Sequence, residues 1–295
     1  MQPRYACWVT LWLTLALLAG CRVPTDKTPA SPGAQHTIEN KGSDTMVNLA
    51  LAWAEAYQAA HREVRISVTG GGSGTGIAAL INGTVDIANA SRQIKPDEIS
   101  AAQSNGIEPV EFVVARDAIA VLVHPENPVD HLTIAQLSDI YSGKIDNWSE
   151  VGGEDRPIVR LSRETNSGTH VYFLEEVLRQ GDPNDTTLFA PETLLLPSSE
   201  GISVEIRQNP NAIGYDGLGY VTPDMKVVAV GLSPDGPFVL PSAETVNAGL
   251  YPIARDLYVY TNGTPEGSVA AYLEWLLRPE AQAIVTQLGF VPVVP

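Results

Sequence analysis

Apolar residues recur along this chain in two alternating rhythms. Met46, Leu49, Ala50, Trp53 and Tyr57 fall three or four apart, the spacing of one helix face. They predict a helix that starts at the Gly42-Ser43-Asp44-Thr45 turn. Val64 to Thr69 alternates and is β-branched, which predicts a strand. A glycine loop follows from Gly70 to Gly76, then a short helix carrying Ile77, Leu80 and Ile81, a strand from Val85 to Ala88 and a helix from Pro96 to Ser104. Further on, Thr133 to Tyr141 predicts a helix, Ile158 to Leu161 a strand, and Gly168 to Gln180 a helix. Two more helical patterns run from Pro265 to Leu277 and from Pro279 to Leu288. Strands alternating with helices predict an α/β fold, with parallel sheets covered by helices on both faces.

Two extended apolar segments, Phe112 to Val123 and Tyr251 to Tyr260, resemble each other, because both carry Ala-Arg-Asp at their centres. They lie too far apart for a short-period repeat. Two readings stay open. They could be two ordinary core strands, or two strands that cross between the same two lobes, one outward and one returning. The second reading divides the chain into a discontinuous lobe, 37–117 plus 253–295, and an inserted lobe, 118–252.

Composition adds most at the N-terminal end. The 295 residues suffice for two ordinary domains, and 44% are hydrophobic, enough for sizeable cores. Arg4 is the one charge in the first twenty residues, followed by an apolar run from Trp8 to Leu18 that is too short to span a bilayer. Leu18-Ala19-Gly20-Cys21 comes next and resembles a bacterial lipobox, in which Cys21 becomes the lipidated N-terminus; a simple N-terminal anchor is the alternative. Residues 1–20 are then a lipoprotein signal peptide, and Cys7 leaves with it, so no disulfide can form within one mature chain. Residues 21–36 are rich in Pro, Ser, Thr and Gly and read as a flexible tether that keeps a soluble domain near a membrane. The formal charge is −16, or −17 once Arg4 is removed. That acidity argues against a nucleic-acid partner. An anionic ligand would be repelled by the bulk field, so local dipoles and one or two placed cations would have to hold it.

Candidates for that task exist. Gly42-Ser43-Asp44-Thr45, Gly72-Ser73-Gly74-Thr75-Gly76, Ser91-Arg92 and Ser167-Gly168-Thr169 each place small hydroxyl or glycine residues at an expected strand-to-helix junction. Such a junction aims free backbone N–H groups and the positive end of a helix dipole at one point. Taken singly, each has a plainer reading as an N-cap or a tight turn. In open α/β sheets, however, ligands sit beyond the carboxyl ends of strands, where these four segments fall. Arg163 precedes the Ser167 junction, and its guanidinium forms a fork suited to tetrahedral oxyanions. A surface ion pair is the alternative for Arg163, with Glu164 as partner, and likewise for Arg92.

Catalytic signatures are lacking. Ile77 follows Gly76 where a Walker loop needs Lys, and Gly-x-Gly-x-x-Gly does not fit either. Neither a Gly-x-Ser-x-Gly elbow, nor His-Glu-x-x-His, nor Cys-x-x-Cys occurs. The five histidines are not spaced as ligands, and His170, the one nearest a suggested site, is expected on a helix surface. No enzyme activity, cofactor or metal is expected.

At these residues the chain resembles the periplasmic phosphate-binding proteins of ABC phosphate transporters, the PstS family, in its shorter lipoprotein branch. The resemblance covers nearly all of residues 37–295. It rests on Gly42-Ser-Asp-Thr-Met46, Gly70-Gly-Gly-Ser-Gly-Thr-Gly-Ile77, Asp86-Ile-Ala-Asn-Ala-Ser-Arg92 and Arg116-Asp-Ala-Ile-Ala-Val121. It continues through Ile140-Tyr-Ser-Gly-Lys-Ile-Asp-Asn-Trp148, Arg163-Glu-Thr-Asn-Ser-Gly-Thr169, Ser198-Ser-Glu-Gly201, Ala212-Ile-Gly-Tyr215 and Tyr251-Pro-Ile-Ala-Arg255. It implies a two-lobed type II binding-protein fold with two crossover hinge strands. It further implies that Thr45 and Ser73 bind phosphate from one lobe, and Arg163, Ser167, Gly168 and Thr169 from the other, with Ser43, Met46 and Gly74 as nearby backbone or hydroxyl donors.

One departure matters. Well-known family members carry an aspartate where this chain has Arg92, and that carboxylate accepts the proton of hydrogen phosphate. An acceptor-only group favours a protonated ligand over sulfate. Here the expected substitute is Asp117, which could instead form a hinge ion pair with Arg116 or Arg255; Asp44 and Glu200 are weaker candidates. The implied protein is an extracytoplasmic, lipid-anchored monomer that closes on one phosphate ion and docks on membrane permease subunits. Three rivals remain: a binding protein for another oxyanion, a phosphatase-like enzyme using a serine nucleophile, and a phosphate sensor or adhesin.

Overall fold

The computed structural model describes residues 36–293, so the expected signal peptide, the Cys21 lipidation site and the tether preceding residue 36 lie outside it. The first strand, β1 (His36–Gly42), leads through a short 3-10 turn (Asp44–Met46) into α1 (Val47–Ala60). The alternation continues with β2 (Val64–Thr69), α2 (Ser73–Ile81), β3 (Ile87–Ala90) and α3 (Pro96–Ser104). Then come the long β4 (Pro109–Val123), β5 (His131–Thr133), α4 (Ile134–Tyr141), β6 (Val159–Arg163) and α5 (Gly168–Phe173). The later elements are β7 (Leu194–Leu196), α6 (Ser199–Gln208), β8 (Ala212–Gly217), β9 (Lys226–Gly231), α7 (Ala243–Asn247), β10 (Ala254–Asn262), α8 (Gly267–Leu276) and α9 (Pro279–Gln287).

The strands follow the order β2-β1-β3-β10-β4-β8-β6-β7, with β9 also bonded to β4 and β5 to β9. This is an α/β fold, but the sheet is mixed rather than parallel. β1 pairs in parallel with β2 and β3, and β6 with β7 and β8, whereas β4 and β10 run antiparallel to each other and to their other neighbours. The two antiparallel strands at the centre are the Ala-Arg-Asp segments.

These strands pass through more than one core. Val114 and Ala115 of β4 and Leu257 and Val259 of β10 pack with Ile38, Leu49 and Trp53. A few residues away, Ile119 and Val121 of β4, with Ile253 just before β10, join Leu137, Tyr141, Phe173 and Tyr215. Trp53 donates its indole N–H to the Ala281 carbonyl (2.9 Å), tying α1 to α9. In the other core the Phe173 and Tyr215 rings stack with centroids 3.6 Å apart. Burial of such side chains is the main favourable term holding each core.

Three local differences from the periodicity have physical causes. α2 starts at Ser73, inside the expected glycine loop, and only Gly71 and Gly72 keep the loop's left-handed backbone (φ 118° and 92°). The helix expected from Gly168 to Gln180 is α5 followed by one π turn, Leu174–Leu178, and it stops where Gln180 takes φ 50°. Between 194 and 247 the periodicity suggested no element. β8 is buried at all six positions and so shows no alternation, and β7 has three residues, too few for a period. No helix among the described residues is long and apolar enough to cross a membrane.

Candidate anion-binding site

The antiparallel register of β4 and β10 sets Arg255 opposite Asp117 and Asp256 opposite Arg116. In this register the two antiparallel copies of Arg-Asp pair each arginine with the other strand's aspartate. Because neighbouring residues on a strand face opposite sides, the two pairs part company. Arg116 and Asp256 meet in the open (3.4 Å). Arg255 and Asp117 are buried, and Nη2 and Nε of the arginine donate to Asp117 Oδ2 at 2.8 and 3.2 Å. Asp117 Oδ1 accepts from the Leu218 amide (3.0 Å). Burial pushes the Asp117 carboxyl above its ordinary value, and the Arg255 charge opposes that rise. The ion pair with Arg255 foreseen as one reading of Asp117 is therefore present.

Arg255 also reaches a cluster of hydroxyls. Its Nη2 donates to Thr169 Oγ1 (3.0 Å) and its Nη1 to the Ser91 carbonyl (2.9 Å). Thr169 Oγ1 and Thr45 Oγ1 share a hydrogen bond of 2.7 Å. Ser43 Oγ donates to Ser91 Oγ (3.0 Å), Ser91 and Ser73 hydroxyls lie 3.2 Å apart, and the Ser91 amide donates to Ser73 Oγ (3.0 Å). All five side chains are buried. They come from the four junctions singled out in the sequence, which the fold brings to one point. Gly168 sits against them so closely that a Cβ there would lie 2.3 Å from Ser73 Oγ and 2.6 Å from Ser91 Oγ. At the rim, the Gly74 amide donates to the Asn166 carbonyl (2.9 Å), and Gly72 has no room for a side chain beside that carbonyl. Ser167 does what a plain N-cap does: its Oγ accepts from the Thr169 and His170 amides.

The other two arginines are more heavily engaged. Arg163 is 1% exposed. Its Nη2 donates to Asp44 Oδ2 (2.5 Å) and the Pro197 carbonyl (3.0 Å), its Nη1 to Ser199 Oγ (2.7 Å) and its Nε to the Leu196 carbonyl (3.3 Å). Four of its five N–H donors are thus taken. The expected surface partner Glu164 plays no part in these bonds. Arg92 forks onto Glu98 (2.7 and 2.8 Å), so its charge is spent locally. A cavity of about 480 Å³ borders Arg92, Lys95 and Arg255, but Glu175, Glu176 and Asp256 line it too, so neither sign of charge dominates.

Comparison with known proteins fixes the lineage. A family model for a PBP superfamily domain matches residues 27–280. The phosphate-binding protein PstS of Pseudomonas aeruginosa is 33% identical, covering 88% of this chain and 84% of its own. PstS of Bacillus subtilis is also 33% identical, over 91% and 85%. This chain belongs to the PstS family. Among solved structures, a substrate-binding protein from Clostridium perfringens with bound phosphate is 31% identical, with a TM-score of 0.78, covering 88% of this chain and all of the other.

As a PstS-family protein, the chain holds several site-region residues that its sequence did not single out. Arg255 was foreseen only as a partner for Asp117. Its signal lay in the duplicated Ala-Arg-Asp, once the antiparallel register is known. Asp216 is fully buried, and its Oδ2, 3.9 Å from Arg163 Nη1, accepts no hydrogen bond. Burial holds its carboxyl above the ordinary value. Ser199 and Tyr220 also face this region, the latter donating to the Asp44 carbonyl (2.7 Å); Ser199 carries no sequence signal beyond its Ser198-Ser-Glu-Gly201 motif, and Tyr220 carries none. The placement of His170 needs correction. It is buried rather than on a helix surface, bonded to Ser162 Oγ (3.0 Å) and stacked on Phe189, because α5 turns that face into the core. Burial lowers its pKa to about 4. The cluster serines therefore bond to one another, not to an imidazole that could take a proton.

Proposed function

We propose that this protein is the extracytoplasmic binding subunit of an ABC phosphate importer, and that it holds one phosphate ion at the hydroxyl cluster. The observation that carries this reading is the convergence of Ser43, Thr45, Ser73, Ser91 and Thr169 with the Arg255 guanidinium in one buried spot. Hydroxyls both donate and accept, so they suit an oxyanion that still carries a proton. Gly74, Ser167 and Gly168 border the spot, and Arg255 and Arg163 supply positive charge that the −16 net charge does not. In this reading Arg92 is a structural neighbour rather than a direct ligand, and Asp117 accepts the phosphate proton while Arg255 positions it.

The ligand is held by residues from both sides of the Ala-Arg-Asp strands. Lobe I (37–117 and 253–295) gives Ser43, Thr45, Ser73 and Ser91, and lobe II (118–252) gives Gly168 and Thr169. Ligand contacts made only when both sides meet favour the closed state, and that difference drives closure. The closed protein, a monomer held by a lipid on Cys21, then docks on permease subunits. It binds and releases phosphate without chemistry.

Calorimetric titration of protein stripped of bound anion, with phosphate and separately with sulfate, tests this. Tight one-to-one phosphate binding with no heat from sulfate is expected. Equal binding of sulfate, or binding of neither, overturns it.

A further inference from the structure

We propose that Asp44 is a positioning residue whose carboxylate clasps Arg163 across the cleft, and that this clasp sets how slowly bound phosphate leaves. The inference rests on the reading above for its ligand and for the closing cleft, and on the following geometry for the contact itself.

Asp44 lies in the turn after β1, and Arg163 ends β6, 119 residues further along the chain. The carboxylate is anchored on its own side, where Oδ1 accepts from the Gly71 amide (3.1 Å). Its Oδ2 reaches over to Arg163 Nη2 (2.5 Å). Tyr220, from the Arg163 side, grips the same residue by donating to the Asp44 carbonyl (2.7 Å). Asp44 is 17% exposed and Arg163 1%, so the pair is far better shielded than a surface ion pair.

The clasp also holds the guanidinium in place. Arg163 has two carboxylates near it, but Asp216 stays 3.9 Å away and makes no hydrogen bond to it. Among the described residues, the charge-assisted bond comes from Asp44 alone, and such bonds are about twice as strong as neutral ones. That bond exists only while the two sides of the cleft are together. It therefore adds to the closed state without touching the ligand. A bias of this kind raises apparent affinity by raising the fraction of binding-competent molecules. Because it must break before the cleft opens, its weight falls on dissociation rather than association.

Asp44→Asn tests this. The amide keeps an oxygen for the Gly71 amide and loses the charge. The expected result is a 10- to 100-fold weaker phosphate affinity, carried by faster dissociation in stopped flow, with association changed less than threefold. The ratio of phosphate to sulfate affinity should stay as in the parent, since no ligand contact is lost. In small-angle X-ray scattering, the anion-stripped variant should show a larger radius of gyration than the stripped parent. Unchanged or tighter phosphate binding would sink the proposal. So would a collapsed phosphate-to-sulfate ratio, which would make Asp44 a ligand contact. Parent protein that binds no phosphate would refute the functional reading instead, and the radius comparison would then decide the clasp by itself. Loss of the parent's thermal transition in Asp44→Asn would make Asp44 a folding residue and also overturn the proposal.

Discussion

Gly168→Ala should weaken phosphate binding while leaving the fold as stable as before. The added Cβ would lie 2.3 Å from Ser73 Oγ, 2.6 Å from Ser91 Oγ and 3.0 Å from Ser73 Cβ. Ordinary contact begins near 3.4 Å, so about 1 Å of clearance must be found. Ser73 cannot simply rotate away, because its Oγ accepts the Ser91 amide, and an orphaned buried donor costs about 1–3 kcal/mol. Keeping the rotamer and moving the backbone instead is overpacking, which costs about the same, 1–3 kcal/mol. At 1.4 kcal/mol per tenfold, either route predicts roughly 5- to 150-fold weaker binding. If Gly168 and the Ser73 and Ser91 side chains lie on opposite lobes, as proposed, the strain vanishes when those lobes part. Alanine at the first residue of α5 does not disfavour the helix. The assay is phosphate titration beside thermal unfolding of the anion-free protein. Affinity within twofold of the parent would refute the reasoning. An equal loss in unfolding stability would show that Gly168 belongs to a permanent core rather than to a closing surface.

Asp117→Asn leaves the buried Arg255 without its carboxylate, which should cost about 3–5 kcal/mol in urea unfolding; a loss below 1 kcal/mol would contradict the pairing. The same variant should narrow the preference for phosphate over sulfate, measured by competition, if Asp117 accepts the ligand's proton. Asp216 gives a pH-dependent prediction. Burial raises its folded-state pKa, so its stability contribution is complete below about pH 4, the unfolded value, and is lost as pH rises through the higher folded value. Asp216→Asn should thus match the parent near pH 4 and be more stable than it at pH 8. A gap that does not grow with pH between those points would show that Arg163 compensates the charge.

The sequence determined the elements whose period is long and one-sided. The α1 face was legible because Leu49, Ala50, Trp53, Ala54 and Tyr57 are buried along one side of it, and the two long strands because their apolar runs share Ala-Arg-Asp, although β4 is buried without alternation from Asp117 to Val123. β8 was not, because a strand buried on both faces carries no alternation to read. The sequence also named the hydroxyl-bearing junctions, by the recurrence of Ser, Thr and Gly at four strand-to-helix turns, each of which alone reads as an N-cap or a tight turn. It could not say which cations would join them. Three arginines, Arg92, Arg163 and Arg255, had similar local contexts, each near a small or acidic neighbour. Only the tertiary structure ranked them, by bringing Glu98, Asp44 and Asp117 to one guanidinium each. Two of those partners lie 119 and 138 residues away along the chain. Local sequence sets what a side chain can bond to. Sheet register and tertiary packing decide what it meets, and burial then makes that choice binding by removing water as an alternative partner.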